Sequence, residues 1–216
     1  MKAEDNYTLY GAMGWGSALV EGFFALAGLG FKFEDVGGFD GPGHSRQRLT
    51  AINPLAQVPT LILPEGTVMT ESAAIALLLS ERHPSSGLAP SPGDARRPIF
   101  LRHLIWLVAN VYPTFTYFDY PQRWVNSEAD FFRDRVLDYR KALWLQFENA
   151  LDPGAPWVLG DNVSALDVYV AVMSQWRPGP AWFGRHCPGL FRIGRRAQRH
   201  AALGPVLARN FPVEPQ

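Results

Sequence analysis

Cysteine is almost missing from this chain: Cys187 is the single thiol in 216 residues. No internal disulfide and no CxxC redox pair can form, which fits a reducing compartment. An excess of either charge is missing as well, with 20 Lys and Arg against 20 Asp and Glu. No global field draws in nucleic acid or an acidic membrane, so partners must be recognised locally. Long apolar runs are also lacking. The most apolar helix candidate, Pro98 to Val111, is interrupted by Arg102 and His103 and is too short to span a bilayer. The opening residues Met1-Lys2-Ala3-Glu4-Asp5 have neither the basic nor the apolar region of a secretory signal, so a cytoplasmic protein is expected. The histidines, His44, His83, His103, His186 and His200, show no metal-ligand spacing, and no GxxxxGK or GxGxxG loop occurs. Neither metal nor nucleotide chemistry is expected.

What remains is an ordinary globular composition, 47% apolar, with room for one large or two small domains. Thr8-Leu9-Tyr10 reads as a short strand. A glycine-rich loop from Gly11 to Gly16 follows, and then an amphipathic helix marked by Leu19, Val20, Phe23, Phe24 and Leu26 that ends at Gly28. Phe31 to Val36 alternates like a strand, completing a βαβ unit. Gly37 to Gly43 is too rich in glycine for regular structure, and Ser45 to Ala51 can form a short helix stopped by Asn53-Pro54. Residues 84–93, rich in Pro, Gly and Ser, read as a linker. Beyond it the patterning is helical. Asp94 and Ser127 are candidate caps, and Phe132, Val136, Tyr139, Leu143, Phe147 and Leu151 make one apolar face. Ser164-Ala165-Leu166-Asp167 is a capping box, and a last Arg-rich helix is bracketed by Cys187-Pro188-Gly189 and Gly204-Pro205.

The densest signal lies between Ala51 and Ile75. Pro59 makes a cis Val58-Pro59 bond possible, which would turn the Val58 amide and carbonyl outward to pair with an extended ligand. Leu63-Pro64-Glu65-Gly66-Thr67 is a hairpin turn between Leu61-Ile62-Leu63 and Thr67-Val68-Met69. It returns the chain to Glu71-Ser72, where the first-turn amides of a helix can face a carboxylate.

The segments Asn53-Pro54-Leu55-Ala56-Gln57-Val58-Pro59-Thr60-Leu61 and Thr70-Glu71-Ser72-Ala73-Ala74-Ile75 resemble the glutathione-site half of the cytosolic glutathione transferase family, bacterial type. The resemblance implies an α/β plus all-α fold. A thioredoxin-like domain (βαβ-α-ββα, residues 1–83) would be joined through the linker to an all-helical domain (94–216). It also implies a glutathione site at Gln57, Val58, Pro59, Glu71 and Ser72, with Val58 pairing the cysteinyl backbone and Glu71-Ser72 holding the γ-glutamyl group. Ser-x-x-Asp at Ser164 and Asp167 would stabilise a central helix. Glutathione is then co-substrate, the second substrate a hydrophobic electrophile, and the protein a homodimer.

Only a thiolate attacks, and a free thiol has a pKa of about 8.5. A donor at the start of the first helix would lower it. Ser17 is the leading candidate, although its oxygen can equally cap the helix. Serine-type relatives place the hydroxyl nearer Gly14 or Trp15 here, so turn amides or Tyr10 are alternatives. Trp15, Tyr112, Phe115 and Trp124 are candidates for an apolar wall beside the sulfur. His44 or Arg48 could meet the glycine carboxylate. The competing readings are a non-catalytic binding or assembly module of the same fold, and a glutathione-dependent isomerase or peroxidase.

Overall fold

A computed structural model describes residues 6–212. They group into two compact units, one running to Ser91 and resuming at Ala197, the other Pro92–Arg196.

The first unit is built on a four-stranded sheet in the order β2-β1-β3-β4. Its strands are β1 (Thr8–Gly11), β2 (Lys32–Asp35), β3 (Thr60–Ile62) and β4 (Val68–Met69), with helices α1 (Ser17–Ala27), α2 (His44–Ile52) and α3 (Ser72–Arg82) between and after them. β1 and β2 run parallel, as a strand-helix-strand crossover requires, whereas β3 is antiparallel to both β1 and β4. This is the expected thioredoxin-like arrangement. Leu9 and Leu61 from the sheet, Leu19, Val20, Phe23 and Phe24 from α1, and Ile75 and Leu79 from α3 are buried in its core. α1 ends as its sequence indicates. Gly28 takes a left-handed φ of 65°, and Leu29 N–H reaches back to Phe24 O. At the hairpin, Gly66 N–H bonds Leu63 O and Leu63 N–H bonds Thr67 O, at 2.8 and 2.9 Å.

The second unit is helical. α4 (Arg97–Trp106) continues through a π-helical stretch, Leu107–Val111, into α5 (Tyr112–Asp119). Pro113 has no amide to donate, and the wider turn is closed instead by Tyr112 N–H on Leu107 O. α6 (Ala129–Asn149) follows, then α7 (Ala165–Met173), α8 (Pro180–His186) and α9 (Pro188–Arg199). Every residue of α7 is buried, which makes it the central helix of this unit. It opens on the capping box. Ser164 donates both its N–H and its hydroxyl to Asp167 Oδ2, and Val158 N–H donates to Oδ1.

Three sequence readings need correction. α4 is preceded at its N-cap by Arg96, and Asp94 instead accepts the Arg96 N–H in the turn before it. α6 is preceded at its N-cap by Glu128, in a left-handed conformation, not by Ser127. Gly204-Pro205 opens a further helix, α10 (Leu203–Asn210), instead of closing the last one, because a proline in a first helical turn forfeits no hydrogen bond. α10 packs on α1 in the first unit.

Candidate functional site

Strand register decides which loops of the first unit meet. Tyr10 pairs with Thr60 and Leu61 with Met69. Continuing both ladders by antiparallel register sets Ala12 beside Val58 and Glu71 at the level of Pro59. Because β1 and β2 are parallel, the segment after β2 leaves from this same end. The glycine loop, the Val58 loop, the Gly37–Gly43 segment and the start of α3 thus share one end of the sheet.

Side chains join them. Ala12, Val36, Phe39, Leu49, Ala56 and Val58 form one buried cluster, against which Tyr10, Trp15 and Ile52 pack. Trp15 stands edge-on to Phe39, their centroids 4.9 Å apart. The Val58-Pro59 bond is cis. The loop holding it is braced from within. Asn53, almost fully buried, donates from Nδ2 to Gln57 O at 3.1 Å and to Thr60 Oγ1 at 2.9 Å. Thr60 in turn donates to Gln57 O at 2.8 Å, and Asn53 Oδ1 accepts Leu55 N–H. Gln57 itself is exposed, and Leu55 stands out beside it.

Glu71 is exposed at the N-cap of α3 with φ 61° and ψ 102°, a conformation that a non-glycine residue adopts only under constraint. Its carbonyl accepts Ile75 N–H. Ser72 is buried at the first helical position. α1 has no acidic residue at its N-cap or in its first turn, so its start presents positive dipole at this end of the sheet, whereas α3 carries Glu71 at its N-cap and no acidic residue in the turn that follows.

Ser17 is fully buried. Its hydroxyl donates to Ala12 O at 3.0 Å and accepts Ala12 N–H at 3.1 Å, so it closes the base of the glycine loop. A side chain at Gly11 would meet Ser17 Cβ at 2.5 Å, which explains the glycine there. Tyr10 packs on the buried cluster with the Arg48 guanidinium 6.0 Å from its ring. Arg48 also donates to Glu34 Oε2 at 2.8 Å, and the Lys32 and Arg48 donors hold that carboxyl below its usual range. His44 is exposed at the start of α2.

In the second unit, Tyr112 and Phe115 meet edge-on at 6.3 Å, and both contact Trp176, at 6.0 and 5.0 Å. Phe115 also lies 3.9 Å beneath the buried Arg140 guanidinium, which donates to Thr114 Oγ1, Thr114 O and Arg177 O. Burial pushes Arg140 down to about 10, still above neutrality. Trp124 is apart from this cluster, exposed and edge-on to Tyr117 at 4.7 Å. The sequence reading missed Phe39, hidden in a glycine-rich stretch, and Asn53, read only as a helix stop.

With this geometry in hand, the comparisons with known proteins are specific. Residues 20–82 match the model of the glutathione S-transferase N-terminal domain. The GST-like protein YncG of Escherichia coli K12 is 42% identical over 202 residues, covering 94% of this chain and 97% of that protein. The chain is a bacterial glutathione S-transferase family member. GstA of Escherichia coli O157:H7 is more distant, 24% identical over 132 residues, which cover 58% of this chain and 60% of GstA. A glutathione transferase homologue from Sulfitobacter, solved with bound glutathione, has the same fold, with TM-score 0.82 at 22% identity over 93% of this chain and 96% of that one. A sphingomonad glutathione S-transferase complexed with glutathione matches at TM-score 0.77 and 23% identity over 95% and 100% of the two chains. Both solved transferases share this chain's fold across nearly its whole length. Among the described residues, no helix is long and apolar enough to cross a membrane, and no cluster of His, Cys, Asp and Glu could hold a metal ion.

Proposed function

We propose that the protein is a glutathione transferase that joins the glutathione sulfur to a hydrophobic electrophile. The observation that supports this best is the convergence, at one end of the sheet, of the cis Val58-Pro59 loop, the start of α3 at Glu71-Ser72 and the turn before α1. Val58 pairs with the cysteinyl backbone of glutathione, with Gln57 alongside and Pro59 holding the bend. The Glu71 carboxylate receives the γ-glutamyl ammonium, and Ser72 with the α3 amides receives the γ-glutamyl carboxylate.

The thiol proton leaves to solvent, and the thiolate is stabilised by the Met13 and Gly16 amides of the turn at the positive end of α1, the Ala12, Gly14 and Trp15 amides being engaged by Ser17 Oγ, Asn210 Oδ1 and Ala12 O. Of the three candidates for this role, the Ser17 hydroxyl is engaged with Ala12 in both directions, and Tyr10 packs on the Phe39–Val58 cluster. The turn amides therefore lead. The thiolate forms the carbon–sulfur bond, and the electrophile expels its leaving group or takes up a proton. Trp15 lines the sulfur's side of the first unit. Within the helical unit, Tyr112 and Phe115 are the candidate apolar surface for the electrophile, with Trp124 at a separate position. Such chemistry suits detoxification in a reducing cytoplasm, by a homodimer.

One observation favours a rival reading. With Ser17 engaged by the loop and Tyr10 packed on the buried cluster, neither candidate hydroxyl is committed to the thiol, which suits a module that binds glutathione without turnover. Calorimetric titration with glutathione beside Glu71→Ala tests the site. We expect millimolar or tighter binding in the parent and a loss of about tenfold or more in the variant. Absence of any heat or thermal stabilisation at millimolar glutathione would sink the transferase reading.

A further inference from the structure

The glycine loop is tied to a residue near the opposite end of the chain. Gly14 N–H donates to Asn210 Oδ1 at 3.0 Å across a separation of 196 residues. Asn210 is the last residue of α10 and is almost fully buried. Its Nδ2 donates to Glu21 Oε2 at 3.2 Å and to Val206 O at 3.0 Å. Both amide hydrogens are therefore committed, and only the carbonyl can face the loop, so the side-chain orientation is fixed by its own bonds. Glu21 is itself buried on α1, ion-paired to Arg209 and with Oε1 lacking a hydrogen-bond partner. A buried carboxylate this short of donors is costly unless the amide and guanidinium stay in place, so α10 is held against α1 by an interaction that tolerates little slack.

Gly14 has φ +79°, and a Cβ there would come within 3.3 Å of the Asn210 backbone oxygen. The turn's geometry is thereby set from two sides. Ser17 closes its base through Ala12, and Asn210 fixes the plane of the peptide before Gly14.

We propose that Asn210 is a positioning residue for thiolate stabilisation. By holding Gly14 it aims the flanking Met13 and Gly16 amides, which the loop's own bonds leave over, at the place the glutathione sulfur occupies. This rests on the glutathione-binding reading above. Asn210 touches neither the sulfur nor the γ-glutamyl group; it acts through Gly14.

The test compares parent, Asn210→Ala and the exchanged pair Asn210→Asp with Glu21→Gln. In the pair, the carboxylate introduced by Asn210→Asp can still accept from Gly14, and the amide introduced by Glu21→Gln can donate to it. Three quantities are read: the pH midpoint of the ultraviolet thiolate absorbance of bound glutathione, the Kd for S-methylglutathione, and the exchange rate of the Gly14 amide by NMR. In Asn210→Ala we expect the thiolate midpoint to rise by about one pH unit, a tenfold loss of thiolate preference. We expect Gly14 exchange to accelerate about tenfold or more, while S-methylglutathione, which has no thiol to ionise, keeps its Kd within about twofold. The exchanged pair should restore the midpoint. An unchanged midpoint in Asn210→Ala, a parallel loss of S-methylglutathione binding, or no restoration in the pair would each overturn the proposal. Should Asn210→Ala fail to fold, Asn210→Ser, too short to reach Gly14, is read in its place. A parent protein that binds no glutathione would instead remove the glutathione reading itself, and it needs no variant to be seen.

Discussion

Ser17 illustrates how one oxygen can answer two different expectations. A hydroxyl at a helix start beside a glycine loop is what thiol activation needs, and it is equally what a capping turn needs. The sequence does not separate the two roles, because both call for the same residue at the same place. The structure commits the hydroxyl to Ala12, donating to its carbonyl and accepting its amide. Ser17→Ala should therefore act on stability first. It leaves the Ala12 N–H buried without an acceptor, at a cost of about 1–3 kcal/mol in denaturant unfolding. The thiolate midpoint of bound glutathione should stay at the parent value. A raised midpoint with unchanged stability would return Ser17 to the catalytic role. Asn53 shows a different gap. Asn-Pro reads correctly as the end of α2, yet nothing local reveals that the same side chain bonds forward to Gln57 O and Thr60 Oγ1, since those contacts exist only once β3 is in place.

At the scale of elements, periodicity and caps recovered most of what formed. The βαβ unit, the hairpin and the Ser164–Asp167 box depend on short-range patterns, and each lies where those patterns put it. Boundaries shifted where a backbone conformation outweighed side-chain preference, as at Glu128. α10 escaped notice because Gly-Pro signals a stop and a start equally well. The capping box also has a titration consequence. Burial raises the Asp167 carboxyl to about 6, against the lowering pull of its Val158 and Ser164 donors. The unfolded chain loses this proton near pH 4, at about 3.9. Between about pH 4 and pH 6 the folded state keeps a proton that the unfolded state has released, so stability falls with rising pH through that window and levels off above it. Urea unfolding at about pH 4.5, 5.5 and 7 should trace this decline for the parent, and Asp167→Asn, which has no proton to lose, should lack this contribution to the slope. An identical slope in the variant would assign the window to other carboxylates.

For the molecule as a whole, fold class was legible because α/β and all-helical patterning occupy different stretches of the chain. The return of the C-terminal residues to the first unit was not, since it depends on contacts between residues nearly 200 positions apart, such as Gly14 and Asn210 at a separation of 196. Assembly is the remaining property at this scale. The family resemblance implies a homodimer, and the composition offers no obstacle. A net charge of zero and a pI near 7.0 leave no long-range repulsion between copies at neutral pH. The helical unit keeps Ile99, Ile105, Phe131, Tyr139 and Leu145 exposed, side chains that a second copy would be expected to cover. Light scattering at neutral pH should give twice the 24.1 kDa chain mass. The apparent melting temperature should rise with protein concentration, because dissociation is then linked to unfolding. A mass of one chain, with a melting temperature independent of concentration, would make the protein a monomer and return those side chains to ordinary exposed surface.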